Sequence, residues 1–464
     1  MITCDFSKRK NQTLSQYLYS QIKEQILMGQ LIPNQRLPSK RSLADHLGIS
    51  VITVQGAYQN LIDEGFIYSI EKSGFFVEDI HQPGKKNIEE KIKKQSVKKT
   101  QKNVIGDFTQ NAIGYEKFPF KTWAKVSKQV LQKYNYELLA PGPSSGNLIL
   151  RQTIADYLKN YRNMNVDSSQ IVIGAGSELL YNFIVLMLGS NKIYGVENPG
   201  YKKTHKIFST LGAECIPIDI DENGMSCSKL EKSCAQVIHI TPSHHFPTGI
   251  VMPVKRRFEL LSWAAQKKDR YIIEDDYDSE FRFSGKPLEP MFNSDLNSRV
   301  IYLNTFSKTL SPAFRISYMV LPEKLVEVFK NKFEFYSCTV SAVEQLTVAE
   351  FIKQEYFSKH INRMRNYYRS LRNNLITNIR NSQLKNRVTI KEENSGLHFL
   401  MIVKTTKSVK QLKNEIQKSR LKINLLDDYY FGKPPENENA FVINYSGIRE
   451  QDISKIINAF QKIF

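Results

Sequence analysis

VIYLNTFSKTLSPAFR, residues 300–315, joins an apolar run to a polar segment that holds a single lysine. The β-branched and aromatic residues of its first half predict a buried strand. Beyond that strand Lys308 lies among three hydroxyl residues, and Arg315 follows on the same segment. A strand that ends in a lone amine with a cation nearby indicates a ligand site at the end of a sheet.

Strands and helices alternate along residues 107–464. Three further apolar runs end in polar residues, and their sequences are QIVIGAGSELLYNFIVLML (170–188), AQVIHITPSHHFPTG (235–249) and RYIIEDDYDSEF (270–281). This alternation predicts an α/β domain with a largely parallel sheet covered by helices on both faces. Ligands of such sheets bind beyond the carboxyl ends of the strands, so we expect the polar residues to converge there.

The converging residues carry complementary chemistry. The turn of residues 174–177 joins a strand to a helix and offers N–H groups to a phosphate. Asp275 follows a buried run and needs a cationic partner, and Tyr277 faces the same way if the strand continues. Burial and the nearby Arg315 are expected to lower the pKa of Lys308 and keep part of it as a nucleophilic amine. An amine for an aldehyde, a carboxylate for a protonated ring nitrogen and a cradle for a phosphate together describe pyridoxal 5′-phosphate.

The first eighty residues show a different pattern. Three helical segments that each end at a glycine are predicted, from Leu14 to Gly29, from Ser39 to Gly48 and from Ser50 to Gly65. Ser39 and Ser50 are the expected N-caps. FIYSIEKSGFFV (66–77) then predicts two short strands joined at Lys72, Ser73 and Gly74. This order indicates a winged helix-turn-helix, mainly α with a β wing, whose third helix enters the major groove while the wing meets the minor groove.

The length and composition of the chain bear on which other classes of protein remain possible. With 464 residues, 41% of them hydrophobic, the chain is expected to form two or three globular domains. We expect no membrane span and a cytoplasmic location, because no apolar run is long enough and the N-terminus lacks a secretory signal pattern. Five cysteines without a C-x-x-C pair predict neither disulfides nor a metal site. The net charge of +19 favours a polyanionic partner.

Lysines crowd the segment between the two patterns, HQPGKKNIEEKIKKQSVKKTQKN (81–103), which has few apolar residues and no aromatic ones. Such a composition predicts a flexible, solvated linker, with contact between its lysines and DNA left open. The domain boundaries that follow are 1–80 for the winged helix, 81–106 for the basic linker and 107–464 for the α/β domain.

Residues 1–80 resemble the GntR family of bacterial transcription regulators. The matching segments are QIKEQILMGQLIPNQRLPSKRSLADHLGIS (21–50), TVQGAYQNL (53–61) and GFIYSIEKSGFFV (65–77). The resemblance implies a double-stranded DNA partner with a repeated operator site. It implies phosphate contacts by Ser39, Lys40 and Arg41, a DNA-facing position for Ser50, Thr53 and Tyr58, and contact by the wing at Lys72 and Gly74.

Two positions depart from the GntR pattern. The family usually has an arginine directly after the serine that starts the third helix, and often another four residues later. Val51 and Gln55 occupy these positions here. The lost charge is expected to weaken affinity for the DNA backbone and to change base readout. A protein-binding winged helix is the alternative for this domain.

Residues 107–464 resemble fold-type I aminotransferases, and their pairing with a GntR-like head resembles the MocR-type regulators. The matching segments are TPSHHFPTG (241–249), EDDYDSEFRFSGKPL (274–288) and TFSKTLSPAFR (305–315). The resemblance implies that Lys308 forms an internal aldimine, that Asp275 pairs with the pyridinium nitrogen and that Tyr277 bonds the phenolic oxygen. The further implied cofactor contacts are Gly176, Ser177, Thr305 and Arg315 at the phosphate and Tyr201 near the ring. Such regulators are typically head-to-tail homodimers.

Other departures concern the ligand. Val442 stands where the aminotransferases have the arginine that clamps a substrate carboxylate, and Asn444 lies two residues on. Lys203 replaces a second carboxylate-binding arginine of some relatives, although a lysine does not reproduce a bidentate fork. Glu178 is an unusual neighbour for a phosphate turn. These positions favour a ligand without a clamped carboxylate, and the coenzyme itself is the first candidate.

The pattern as a whole predicts a transcription regulator that senses pyridoxal 5′-phosphate or an amino compound through an aldimine at Lys308, with control of vitamin B6 synthesis as one expected role. The alternative is a pyridoxal-phosphate aminotransferase, with Lys308, Asp275 and Tyr277 as catalytic residues and the head as a regulatory module. The missing arginine disfavours it, because transamination requires a fixed carboxylate to orient the substrate. A coenzyme-free fold is the third possibility, which the presence of the amine, the acid and Arg315 disfavours.

Overall fold

The computed structural model describes residues 2–9, 11–80, 104–109, 117–283, 288–392, 394, 396–435 and 439–464. The chain divides into two compact units, Met1–Lys99 and Thr100–Phe464. Residues 81–103 of the predicted linker lie outside the described residues, as do residues 284–287 of the segment EDDYDSEFRFSGKPL.

The first unit is the predicted winged helix-turn-helix. Its elements are α1 (Leu14–Leu27), β1 (Arg36–Leu37), α2 (Lys40–Leu47), α3 (Val51–Asp63), β2 (Ile67–Ile70) and β3 (Gly74–Val77). The strands form an antiparallel sheet in the order β1-β3-β2. The two-residue strand β1 has no sequence signal of its own, because its pairing with the wing comes from the packed fold.

Side-chain caps define where the helices of the first unit begin. The hydroxyl of Ser39 accepts a hydrogen bond from the N–H of Ser42, and that of Ser50 accepts one from the N–H of Thr53. Gly48 ends α2 in the left-handed conformation, with φ of 64°, which glycine adopts without the steric cost that a Cβ carries. The predicted caps are therefore present, and they fix the start of the helix expected to read DNA.

The core of the first unit contains a residue that the resemblance had assigned to the DNA side. Tyr58 is fully buried among the apolar residues of α1 and α3, and its hydroxyl donates a 3.0 Å hydrogen bond to the carbonyl of Pro38. Burial also raises the pKa of Tyr58, because the charged phenolate would be desolvated. The prediction that Tyr58 faces DNA is wrong, since its ring belongs to the hydrophobic core and its polar atom already has a partner.

The second unit is a mixed α/β structure. Its strands are β4 (Gly106–Asp107), β5 (Ile171–Gly174), β6 (Ile193–Asn198), β7 (Glu214–Asp221), β8 (Gly224–Met225), β9 (Val237–Ile240), β10 (Tyr271–Asp275), β11 (Val300–Thr305), β12 (Ser317–Val320), β13 (Val388–Lys391), β14 (His398–Val403), β15 (Leu421–Lys422), β16 (Asn424–Leu425) and β17 (Ala440–Asn444). Its helices are α4 (Phe120–Lys133), α5 (Asn135–Leu139), α6 (Leu148–Arg162), α7 (Ser177–Leu188), α8 (Lys202–Thr210), α9 (Cys227–Lys232), α10 (Val254–Ala265), α11 (Glu323–Phe333), α12 (Ala342–Lys353), α13 (Tyr356–Arg380), α14 (Val409–Lys418) and α15 (Ile453–Ile463).

An eight-stranded sheet lies at the centre of this unit, in the order β5-β12-β11-β10-β9-β6-β7-β8. The strands from β11 to β7 in this order are parallel, whereas β12 is antiparallel to both of its neighbours and β8 is antiparallel to β7. Side chains alternate between the two covered faces, so that Ile171 and Ile173 pack against α6 while Val172 packs against α7. This confirms the largely parallel, doubly covered sheet that the sequence predicts.

A second, antiparallel sheet has the order β13-β14-β17-β16 and packs against α13, α14 and α15. The short strands β4 and β15 pair in parallel beside it. Among the residues that the structure describes, none of the helices is both long and apolar enough to cross a bilayer. The large sheet is therefore the element that positions the candidate ligand site.

Candidate functional site

The carboxyl ends of five strands bring the predicted ligand residues together. Strands β5, β6, β9, β10 and β11 all point in one direction in the sheet, so their last residues lie along one edge. The predicted turn at residues 174–177 follows β5, Asp275 ends β10, and Lys308 comes three residues after β11. The convergence inferred from strand alternation is thus present in the fold.

Lys308 is the amine of this site. Burial lowers its pKa to about 8, while the negative charges of Asp278 and Asp275 act in the opposite direction. Its Nζ atom lies 5.9 Å from the centre of the Tyr277 ring. The sequence had attributed part of the pKa shift to Arg315, but the charges that act on Lys308 are those of the two acids, so desolvation produces the shift. A pKa near 8 leaves a useful fraction of neutral amine at physiological pH.

Asp275 is held by two residues that the sequence analysis did not identify. The hydroxyl of Tyr181 donates a 2.6 Å hydrogen bond to Oδ2 of Asp275, and Nε2 of His239 lies 3.4 Å from the same oxygen. Burial raises the pKa of Tyr181, so that the proton stays on its oxygen. A hydroxyl and an imidazole therefore hold this partly buried carboxylate, where the sequence analysis had expected a cationic partner.

Tyr277 is fixed by His244. Its hydroxyl donates a 3.0 Å hydrogen bond to the backbone carbonyl of His244 and lies 3.2 Å from Nδ1 of the same residue. That Nδ1 atom is in turn 2.8 Å from Oδ2 of Asp278. Burial, assisted by the surrounding acids, raises the pKa of Tyr277. The phenol therefore stays protonated, and its one proton is donated to the carbonyl of His244.

Three side chains around Tyr277 could hold a metal ion, although the sequence predicted no metal site. The potential ligand atoms of His244, Asp278 and His398 all lie within 4.8 Å of one another. Nε2 of each histidine has no hydrogen-bond partner among the described residues. The pKa of His398 is lowered by burial and by the charges of His244, His245 and Lys308. Because these side chains come from three distant segments, no spacing in the sequence indicates the cluster.

The predicted phosphate turn starts α7. Gly176 is the N-cap, with φ of 92°, and Ser177 is the first helical residue. The positive φ of position 176 favours glycine, and a Cβ atom there would also force the guanidinium of Arg315 to move. Arg315 itself adopts a left-handed backbone conformation, with φ of 51°. The turn, the helix N-terminus and the cation therefore share one small region.

Two of the predicted phosphate residues have contacts that the sequence did not anticipate. The hydroxyl of Thr305 accepts hydrogen bonds from Ser317 at 2.8 Å and from the N–H of Ser307 at 3.1 Å. Arg315 forms an ion pair with Glu178, whose other carboxylate oxygen pairs with Lys203. The acidic residue that looked unusual in the sequence thus occupies both cations at the mouth of the turn.

Three further residues of the sequence analysis, Tyr201, Val442 and Asn444, lie on α8 and β17. Tyr201 is half exposed at the start of α8, and its ring lies edge-on to Phe246 at 5.7 Å. Val442 is buried in β17, where it pairs with Leu400 and offers an apolar side chain. The side-chain oxygen of Asn444 accepts hydrogen bonds from Ser446. The position expected to clamp a carboxylate therefore provides no cation.

These residues fit pyridoxal 5′-phosphate. Lys308 supplies a partly buried amine of lowered pKa, and Asp275 supplies a carboxylate for a ring nitrogen. Gly176 leaves room where a Cβ atom would intrude on the cation Arg315. The phenol of Tyr277 is a protonated donor near the amine. Each functional group of the cofactor thus has a complementary side chain at the same edge of the sheet.

The predicted DNA surface lies on the first unit. Ser39 and Ser50 are exposed caps, Arg41 is exposed in the first turn of α2, and Thr53 is partly buried with its hydroxyl 2.8 Å from that of Ser50. Nζ of Lys40 lies 5.3 Å from the centre of the Phe75 ring, which joins α2 to the wing. At the tip of the wing, Lys72 and Gly74 both have positive φ, and Arg36 packs beside Gly74. Arg36 is a basic residue of this surface that the sequence analysis missed.

Two known protein families match separate parts of the chain. Residues 14–77 match the model described as bacterial regulatory proteins, gntR family. Residues 104–460 match the model described as aminotransferase class I and II. The second match covers more than half of the chain, and it includes every residue of the sheet edge described above.

Several curated proteins resemble the chain over almost its full length. HTH-type transcriptional regulator YdeL of Bacillus subtilis is 37% identical, over 95% of this chain and 94% of its own. HTH-type pyridoxine biosynthesis transcriptional regulator PdxR of Corynebacterium glutamicum is 28% identical, over 91% of this chain and 90% of its own. Among solved structures, kynurenine aminotransferase of Pyrococcus horikoshii superimposes with a TM-score of 0.67 at 23% identity, over 78% of this chain and 91% of its own.

Proposed function

The chain belongs to the MocR-type subfamily of GntR transcription regulators, and from that premise we propose that it senses pyridoxal 5′-phosphate through Lys308. It is a helix-turn-helix regulator with an aminotransferase-like domain, and its cofactor is pyridoxal 5′-phosphate. The finer proposal concerns what this cofactor does in the protein. Here the cofactor serves as the signal that the regulator detects.

The observation that carries the proposal is the partly buried amine of Lys308, which has a lowered pKa, beside Tyr277 and within electrostatic reach of Asp275. When bound, the cofactor supplies an aldehyde and an electron-withdrawing ring. Lys308 offers the nucleophile, Asp275 a negative charge for the ring nitrogen, and Tyr277 a proton donor for the ring oxygen. The turn at Gly176 and Ser177, with Thr305 and Arg315, is proposed to bind the phosphate, and Tyr201 to lie near the ring.

The effector is inferred from the side chains with which the site could bind a substrate carboxylate. Val442 is apolar and buried, and Lys203 already pairs with Glu178. An amino acid would therefore find neither of the cations that orient it in an aminotransferase. Pyridoxal 5′-phosphate needs no such clamp, and the resemblance to the pyridoxine biosynthesis regulator supports control of vitamin B6 synthesis. An amino compound that reacts with the bound cofactor is the second candidate effector.

The response to the ligand is proposed to pass to DNA through a homodimer, arranged head to tail. A ligand can change the affinity for an operator repeat only if it binds one arrangement of the protein more tightly than the other. Phosphate contacts are proposed for Ser39, Lys40 and Arg41, and base-side contacts for Ser50 and Thr53. Lys72 and Gly74 of the wing are proposed to meet the minor groove. A regulator of this kind acts in the cytoplasm, where the chromosome lies.

The test is a DNA-binding titration of the full-length protein with and without pyridoxal 5′-phosphate. We expect operator affinity to change with the cofactor in the wild type and to be insensitive to it in Lys308→Ala. Absorbance before and after borohydride reduction measures covalent capture in the same samples. Equal operator affinity of the wild type in the two conditions, despite spectroscopic capture, would refute sensing of the cofactor itself. Footprinting upstream of candidate genes locates the operator that this titration uses.

A second candidate function is amino-group transfer, which the complete set of Lys308, Asp275 and Tyr277 supports. Single-turnover mixing of the cofactor-loaded protein with amino acids distinguishes the two functions. A competent enzyme converts its cofactor to the pyridoxamine form, whereas a sensor that lacks the carboxylate clamp does not. Conversion within seconds, comparable to a dedicated aminotransferase, would favour the enzyme.

A further inference from the structure

The carboxylate of Glu178 bridges the two cations at the phosphate end of the site. One of its oxygens pairs with Arg315 and the other with Lys203. Glu178 is the second residue of α7, directly after Gly176 and Ser177 of the phosphate turn. The position of a Cβ atom built on Gly176 is 3.1 Å from Oε2 of Glu178. The carboxylate therefore lies against the turn that is proposed to bind the ligand phosphate.

Two negatively charged groups cannot share this region without cost. A phosphate at the turn needs the N-terminus of α7 and the guanidinium of Arg315, and the Glu178 carboxylate pairs with that guanidinium from the first turn of the same helix. If the carboxylate leaves, its two ion pairs are lost, and if it stays, it repels the phosphate. The side chains are partly exposed, at 33% for Glu178 and 46% for Arg315, so water screens the interaction but does not remove it.

We propose that Glu178 is an internal competitor of the ligand phosphate and sets the affinity of the site for pyridoxal 5′-phosphate. This proposal rests on the proposed sensing function and adds the means by which binding stays reversible. A sensor must empty and fill as its ligand varies, and a site built only of cations would remain filled. Displacement of the carboxylate by phosphate also separates it from Lys203, so that occupancy changes the contacts at the start of α8.

The test compares ligands that differ only in the phosphate. Dissociation constants of the full-length wild type and of Glu178→Gln are measured by absorbance for pyridoxal 5′-phosphate and for pyridoxal. We expect Glu178→Gln to bind the phosphorylated aldehyde about tenfold more tightly and to bind pyridoxal with unchanged affinity. Glu323→Gln, which removes a glutamate from the first turn of α11, controls for the loss of one charge at a helix N-terminus.

A second variant and a second probe test whether the effect comes from the charge of Glu178 and acts on the phosphate. Glu178→Asp keeps the charge on a shorter side chain and should retain the weaker, wild-type affinity more closely than Glu178→Gln. Inorganic phosphate should inhibit capture of the phosphorylated aldehyde at lower concentration in Glu178→Gln than in the wild type. The change in operator affinity, followed in parallel, should occur at about tenfold lower cofactor concentration in Glu178→Gln than in the wild type.

The failures of the two proposals are distinguishable. Equal affinity of the wild type and Glu178→Gln for pyridoxal 5′-phosphate would overturn the role of Glu178 while leaving capture by Lys308 intact. An equal gain for pyridoxal would also overturn it, because the effect would not act on the phosphate. If neither protein captures the aldehyde, the sensing function fails, and the competitor role fails with it.

Discussion

The hydroxyl of Tyr181 donates a 2.6 Å hydrogen bond to Oδ2 of Asp275, and burial keeps the proton on the tyrosine. A hydrogen bond of this kind fixes the orientation of the acid. The tyrosine comes from α7, the helix that begins at the phosphate turn. One helix thus positions both the turn proposed for the phosphate and the acid proposed for the ring nitrogen, which are expected at opposite ends of the cofactor.

Asp275→Asn should weaken cofactor binding more than Tyr181→Phe. The asparagine cannot balance a positive ring nitrogen, whereas the phenylalanine removes only one of the two contacts that hold the acid. We expect at least a tenfold loss of affinity for Asp275→Asn and a smaller loss, about threefold, for Tyr181→Phe. Absorbance titration with pyridoxal 5′-phosphate measures both. Equal affinities of Asp275→Asn and the wild type would remove the acid from the proposed site.

Capture of the aldehyde by Lys308 should depend on pH with a midpoint near 8. The pKa of this amine is lowered to about 8 by burial, so the nucleophilic fraction rises as pH increases to that value and levels off above it. An ordinary lysine would continue to gain reactivity up to its usual pKa of about 10.4. Stopped-flow absorbance at constant ionic strength gives the profile.

The matched control for this profile is Lys308→Ala, which reports the background reaction of surface lysines. After this background rate is subtracted, the capture rate of the wild type should still level off at high pH. A rate that continues to rise beyond pH 9 would contradict the lowered pKa of Lys308.

Short-range signals in the sequence were enough to locate the proposed amine and acid. Each follows an apolar strand of a parallel sheet, and the direction of such strands puts their ends on one edge. The serine caps at Ser39 and Ser50 were equally local, because a cap bonds to an N–H three residues away.

Contacts between distant segments could not be predicted in this way. Tyr181 and His239 reach Asp275 from a helix and a neighbouring strand, and neither residue has a local pattern that marks it. Glu178 was an unusual neighbour for a phosphate turn in the sequence, and only the structure shows that Arg315 and Lys203 pair with its carboxylate. Tyr58 shows a different error, because resemblance to a family suggested the DNA side, whereas its ring packs in the core of the first unit beside Val54.

Tyr58→Phe should destabilise the winged helix without changing DNA specificity. The substitution keeps the buried ring and removes the hydrogen bond to the carbonyl of Pro38, at a cost of about 1 kcal/mol. Hydrogen exchange of the α3 amides in the full-length protein measures the local stability. The ratio of operator to non-operator affinity should remain that of the wild type. A changed ratio would return Tyr58 to the DNA surface.

Arg41→Ala should weaken binding to operator and non-operator DNA by similar factors. The residue is exposed in the first turn of α2 and is proposed to contact a phosphate, which carries no sequence information. Loss of one phosphate contact should reduce the slope of log affinity against log salt by about 1. Titrations of both DNAs at several salt concentrations measure the slope. Arg41→Lys keeps the charge and should retain most of the slope, so a change in sequence preference in either variant would mean that Arg41 reads bases.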